Sequence, residues 1–145
     1  MSLMDELRRN LYIGQYNTLT FYNGEIPILT LRIINKNEIL LITNNMQELN
    51  AHVIQWGGNL NEFANEIYNY LIDDEVNIER TDSLRFSDGL FVKGRIEKDK
   101  VIVTLPDGEG KDVEIVINNR NGLSEFTSEL TIAEILSVFV YQYFS

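Results

Sequence analysis

Apolar and polar residues alternate along most of this chain, and turn-forming pairs cut the alternation at short intervals. Four stretches between Asn17 and Trp56 read as strands: Thr18 to Tyr22, Ile26 to Ile34, Glu38 to Thr43 and Leu49 to Trp56. Their separators, Asn23-Gly24, Asn35-Lys36-Asn37 and Asn44-Asn45, supply the left-handed and turn conformations that hairpins need. The pattern predicts a four-stranded antiparallel meander, with Pro27 at a strand start or edge because it has no N–H to give to a ladder. Gly57-Gly58 ends the strands. Asn59 with Glu62 then resembles a capping box, and Leu60, Phe63, Ala64, Ile67 and Leu71 recur at helical spacing, so a helix is expected to about Ile72.

The alternation then resumes. Ser83 to Ser87, Leu90 to Ile96, Lys100 to Leu105 and Asp112 to Asn118 predict a second meander, broken by Asp88-Gly89, Glu97-Lys98-Asp99 and Pro106 to Gly110 and closed by Asn121-Gly122. Thr131-Ile132-Ala133-Glu134 matches a capping box. The apolar stripe of Ile132, Ile135, Leu136, Phe139, Val140 and Tyr143 behind it predicts a buried terminal helix, with a preceding helical turn from Ser124 to Leu130 as a candidate extension. Asp5 to Tyr12 reads either as a short helix or as an ordered arm. Met1, Ser2 and Leu3 precede a second start-like residue, Met4, and are set aside from the fold.

The halves also look alike. Thr18-Leu19-Thr20-Phe21-Tyr22-Asn23-Gly24 is answered by Ser83-Leu84-Arg85-Phe86-Ser87-Asp88-Gly89, Asn37 to Leu41 by Asp99 to Val103, and Leu60 to Phe63 by Leu123 to Phe126, at spacings of 65, 62 and 63 residues. An internal duplication and the ordinary likeness of short alternating strands both account for this. The expected fold is α+β: one domain over 1–145, with a meander and helix at 18–72 and again at 83–144, a β4-α-β4-α order.

Charge narrows the function classes. The net charge is −10, and residues 57–80 alone carry −5, a field that opposes undirected binding to nucleic acid or anionic lipid. The chain has no Cys, which removes disulfides, thiolate metal sites and cysteine nucleophiles and fits a cytoplasmic protein. With no apolar run long enough to span a bilayer, no membrane association is expected.

Candidate chemistry is sparse. His52 has neither a Cys nor a second His to join it as a metal ligand, so a structural or solvent-facing role is expected. Asp73-Asp74-Glu75 with Glu79 lacks the alternating ligands of a calcium loop and reads as a solvated helix end. Asp107 to Asp112 gathers carboxylates around two glycines, which a long hairpin turn also explains. Nucleophile elbow, phosphate loop and dinucleotide fingerprint are all absent, so no enzyme activity, cofactor or metal is expected. The informative feature is the outward side of the strands. If Leu84, Phe86, Val92 and Ile96 point inward, Ser83, Arg85, Ser87, Phe91, Lys93 and Arg95 point outward, and the first half adds Tyr22, Thr30, Arg32 and, as a further candidate, Trp56, although from Ile28 to Ile34 both alternations are apolar and leave the inward face open. Interleaved aromatic and basic residues on a sheet can stack bases and neutralise phosphates, while a half-solvated face, or one covered by a partner, would have the same pattern.

In element order alone, residues 18 to 144 resemble the Whirly and PUR-type proteins, in which two such units pair with exchanged helices and bind single-stranded DNA or RNA on their sheets. The chain departs from them in its acidity and in lacking their sequence motifs, including the lysine-rich Whirly signature. Its size, acidity and alternating helices and sheets also resemble type III secretion chaperones, which cradle a partner chain but have fewer strands after the middle helix. The sequence therefore points to a non-enzymatic, acidic interaction protein with a protein partner. Single-stranded nucleic-acid binding through Tyr22, Arg32, Arg85, Phe91, Lys93 and Arg95 is the alternative, and self-association into a homo-oligomer stays open.

Overall fold

A computed structural model of the chain describes residues 2–11, 16–78, 84–118 and 128–145. Helix α1 (Leu3–Asn10) opens at Ser2, whose hydroxyl accepts the Asp5 N–H at 3.2 Å. Asp5 and Glu6 stand in its first turn and Arg8 and Arg9 in its last, which suits the helix dipole at both ends. Ser2 and Leu3, set aside on the sequence alone, thus belong to the fold, and Leu7 and Leu11 are buried. Tyr12 lies outside the described residues, as do Glu79, Ser83, the Asn121-Gly122 turn and Leu123 to Phe126.

Strands β1 (Thr18–Asn23), β2 (Ile26–Ile33), β3 (Glu38–Asn44) and β4 (Leu49–Gln55) precede helix α2 (Leu60–Asp73). Strands β5 (Leu84–Ser87), β6 (Lys93–Ile96), β7 (Lys100–Pro106) and β8 (Asp112–Asn118) precede helix α3 (Ser128–Tyr143). The fold class is α+β. The eight strands form one antiparallel sheet in the order β4-β3-β2-β1-β5-β6-β7-β8. Two separate sheets were implied by the sequence reading, but the first strand of each meander pairs with the other. Phe21 lies opposite Phe86, with ring centroids 5.3 Å apart. Strand alternation specifies a buried face for each strand without specifying its edge partner, which is why this join is a tertiary property.

The core lies against one side of this sheet. Leu19, Phe21, Leu29, Leu31, Ile39, Leu41, Leu84, Phe86, Ile96, Val101 and Val103 are buried together with Leu7 and Leu11 near α1, Phe63, Ala64, Ile67 and Leu71 of α2, and most of α3. Helix α3 packs against both α1 and α2. Its residues from Thr131 to Val140 are buried all round except Glu134, as expected of a helix enclosed on every side. Because α3 already includes Ser128, Thr131 lies inside it and is not its cap, contrary to the capping-box reading. At α2 the cap holds: Asn59 Oδ1 accepts the Glu62 N–H at 3.0 Å. Among the described residues, no helix is long and apolar enough to cross a membrane.

Candidate interaction surface

The other side of the sheet carries no member of this core cluster, and strand register orders its side chains into rows. One row runs Tyr22, Arg85, Arg95, Ile102, Val116 from β1 to β8. A second runs Ala51, Ile42, Thr30, Thr20, Ser87, Lys93, Thr104, Glu114 across the whole sheet. A third, on the first meander, runs Val53, Leu40, Arg32, Thr18. Directly opposite residues share a face, so Tyr22, Arg32, Arg85, Lys93 and Arg95 are brought together on this open side. It has two parts. Leu40, Ile42, Ala51 and Val53 make the β3–β4 end aliphatic, threonines occupy the middle, and charged groups occupy the β5–β8 end.

Two residues of the sequence reading fall elsewhere. Phe91 precedes β6 because the Asp88 carboxylate accepts the N–H groups of Leu90, Phe91 and Val92 at 2.8, 2.8 and 2.9 Å and folds that segment into a turn. Its ring packs on Tyr16, centroids 5.4 Å apart, instead of joining the row of cations. Trp56 turns toward the helices, edge-on to Phe63 at 5.1 Å and parallel to Phe144 at 6.4 Å.

Two of the cations on the open face, Lys93 and Arg95, are paired with carboxylates. Arg95 donates to Glu97 at 2.8 Å and lies 3.6 Å from Glu114. The hydrogen bond to Glu97 raises the Arg95 pKa, and the same bond lowers that of Glu97. Lys93 lies 3.5 Å from Asp112, and the Arg85 guanidinium lies 4.1 Å from the centroid of the Tyr22 ring. Arg32 has no ion-pair partner among the described residues. Among the described residues, then, two of these four cations are paired with carboxylates, which reduces the positive charge open to a phosphate backbone.

The other sequence candidates have local work. Asp74, read as part of a solvated helix end, is mostly enclosed: its Oδ2 accepts Thr43 Oγ1–H at 2.6 Å and is 2.6 Å from His52 Nε2, while Asn45 donates to its carbonyl at 3.1 Å. His52 also stacks on Tyr70 with centroids 4.0 Å apart. The carboxylate stands between hydroxyl and imidazole, so the imidazole does not adjoin Thr43 and the group lacks the hydroxyl–imidazole–carboxylate order of a nucleophile triad. It fastens the end of α2 to β3 and β4. Sequence reasoning missed it, although a carboxylate at the negative end of a helix dipole is a signal that a donor must be near. Asp107 Oδ1 accepts the N–H groups of Glu109 and Lys111 at 2.7 and 3.1 Å, a hairpin use of the acidic loop.

Two concavities flank α2. A groove of about 400 Å³ runs between Gln55 and the Glu62, Glu66 and Asn69 side of the helix. A second cavity, about 300 Å³, lies between the helices and is lined by Ser2, Met4, Asn61, Ala64, Asn65, Leu130 and Glu134. Burial pushes the Glu134 carboxyl up to about 7. No family model, curated protein or solved structure matches this chain.

Proposed function

We propose that this protein is a non-enzymatic binding module whose open sheet face receives a protein partner. The observation that carries this reading is the pairing of Lys93 and Arg95 with carboxylates on the same face as the aliphatic strip of Leu40, Ile42, Ala51 and Val53. A nucleic-acid face favours uncompensated cations, whereas protein interfaces join apolar surface to polar surface. The meanders are read as two copies of one unit within a single domain. The burial of Leu19 and Phe21 alongside Leu84 and Phe86, and the pairing of Phe21 with Phe86, support that reading.

The test is chemical cross-linking of the native partner in host extract, set against fluorescence titration with a single-stranded oligonucleotide. Cross-links to a protein should map to the open face from β4 to β6, and Ile42→Asp or Arg85→Glu should abolish them while the fold, followed by circular dichroism, persists. Micromolar oligonucleotide binding that weakens with salt would overturn the reading, particularly if Lys93→Ala or Arg95→Ala each lowered the log–log slope by about 0.7.

A further inference from the structure

The two edges of the sheet differ. In the β3–β4 ladder, Trp56 N–H donates to the Asn37 carbonyl at 2.6 Å and Asn45 N–H to the Glu48 carbonyl at 3.3 Å. Bonded pairs alternate along an antiparallel ladder, so Ile54, His52 and Asn50 also bond inward, and Leu49, Ala51, Val53 and Gln55 turn their N–H and C=O groups outward. These four residues are exposed, Leu49 at 71% and Val53 at 53%. The strand contains no Lys, Arg, Asp, Glu or Pro. At the far edge, the Asp107–Lys111 bond sets the phase of the β7–β8 ladder, so Asp112 and Glu114 are among the residues that present their backbone outward, and they carry charge there. Sheet edges are ordinarily blunted by charge, proline or a bulge. The β8 edge is blunted in this way and the β4 edge is not.

The groove beside β4 adds a charge preference. Its floor is Phe63, and Gln55, Glu62, Asn65, Glu66 and Asn69 wall it. Residues 57–78 contain no Lys or Arg. The Trp56–Phe63 contact, the His52–Tyr70 stack and the Asp74 cluster hold this wall against the edge strand. A strand added to β4 would continue the pleat, with alternate side chains beside Leu49, Ala51 and Val53 on the open face and the others on the α2 side, near Glu62 and Glu66.

We propose that the β4 edge takes up an extended segment of a partner protein as a further strand, and that this segment alternates aliphatic with basic residues. The proposal rests on the reading of the molecule as a protein binder but uses the backbone edge of β4, which borders the open face at Ala51 and Val53. A second copy is the poorer occupant, because β4-to-β4 pairing would bring two acidic α2 helices together.

The probe is a capped synthetic peptide of alternating Lys and Val, compared with a peptide of the same composition in which the Lys and Val residues form separate blocks. With the full chain, the alternating peptide should bind about tenfold more tightly and slow hydrogen exchange at the amides of Leu49, Ala51, Val53 and Gln55. N-methylation of alternate peptide residues, which leaves the protein untouched, should weaken binding about tenfold in one of the two phases and much less in the other. Glu62→Gln with Glu66→Gln should flatten its salt dependence. Equal binding by the block peptide, or no protection at those four amides, would overturn the proposal, as would concentration-dependent protection in the chain alone that accompanies dimerisation. If the edge fails while Ile42→Asp still abolishes partner cross-links, the open-face reading stands and only the edge proposal falls.

Discussion

Gly94 is where one atom decides the packing between β5 and β6. It lies opposite Phe86, and a Cβ at that position would collide with the Phe86 ring and the Ile102 carbonyl. Both neighbours are firmly placed, since Phe86 is fully buried and the carbonyl is backbone. Gly94→Ala should therefore destabilise the protein by about 1–3 kcal/mol, read as a lowered denaturant midpoint, and an unchanged midpoint would mean the ring moves aside freely. Asp88 shows the same sensitivity from the polar side. Leu90, Phe91 and Val92 continue an apolar run into β6, so alternation assigns them to a strand, but one carboxylate accepting three amide bonds holds them in a turn. Periodicity registers the side chains and cannot register that bond.

Among the elements, α3 carries a titratable group in an unfavourable place. Glu134 is half-buried in a helix whose other residues from Thr131 to Val140 are buried, and desolvation lifts its pKa from 4.5 to about 7. The folded state thus binds a proton that the unfolded chain releases, and stability from this group is present below about pH 4.5 and lost as pH rises toward 7. Relative to wild type, Glu134→Gln should become stabilising in that window and stay so above it. Denaturant midpoints of both proteins at about pH 4 and pH 8 check this, and an equal gap at the two values would refute it. Caps were unevenly legible. Asn59 and Glu62 mark the start of α2 because the cap is local, whereas the Thr131–Glu134 match arose inside a helix that had already begun. The His52–Asp74–Thr43 fastening joins residues 22 and 31 positions apart, beyond the reach of any local pattern.

At the scale of the molecule, turn pairs such as Asn23-Gly24 delimited most strands, and alternation alone put Arg85, Lys93 and Arg95 on one face of the second meander, whereas Arg32, in a strand apolar on both alternations, and the sharing of one face with Tyr22 needed the register. The β1–β5 join, the pairing of Lys93 and Arg95 with carboxylates and the unguarded β4 edge arise only when segments meet. One-sided coverage of the sheet also sorts strand positions by how freely they can vary. Leu19, Phe21, Leu31, Leu41 and Val103 face the helices, while Thr20, Thr30, Arg32, Ile42 and Thr104 face away. Stability selection on a saturation library should yield a tolerance profile with a period of two along β1, β2, β3 and β7, intolerant at the first set and permissive at the second. Ile102 should break the rhythm, since it belongs to the outer row yet is only 3% exposed. Selection for binding should constrain the second set as well, so positions free under the first regime and fixed under the second would trace the partner's footprint residue by residue.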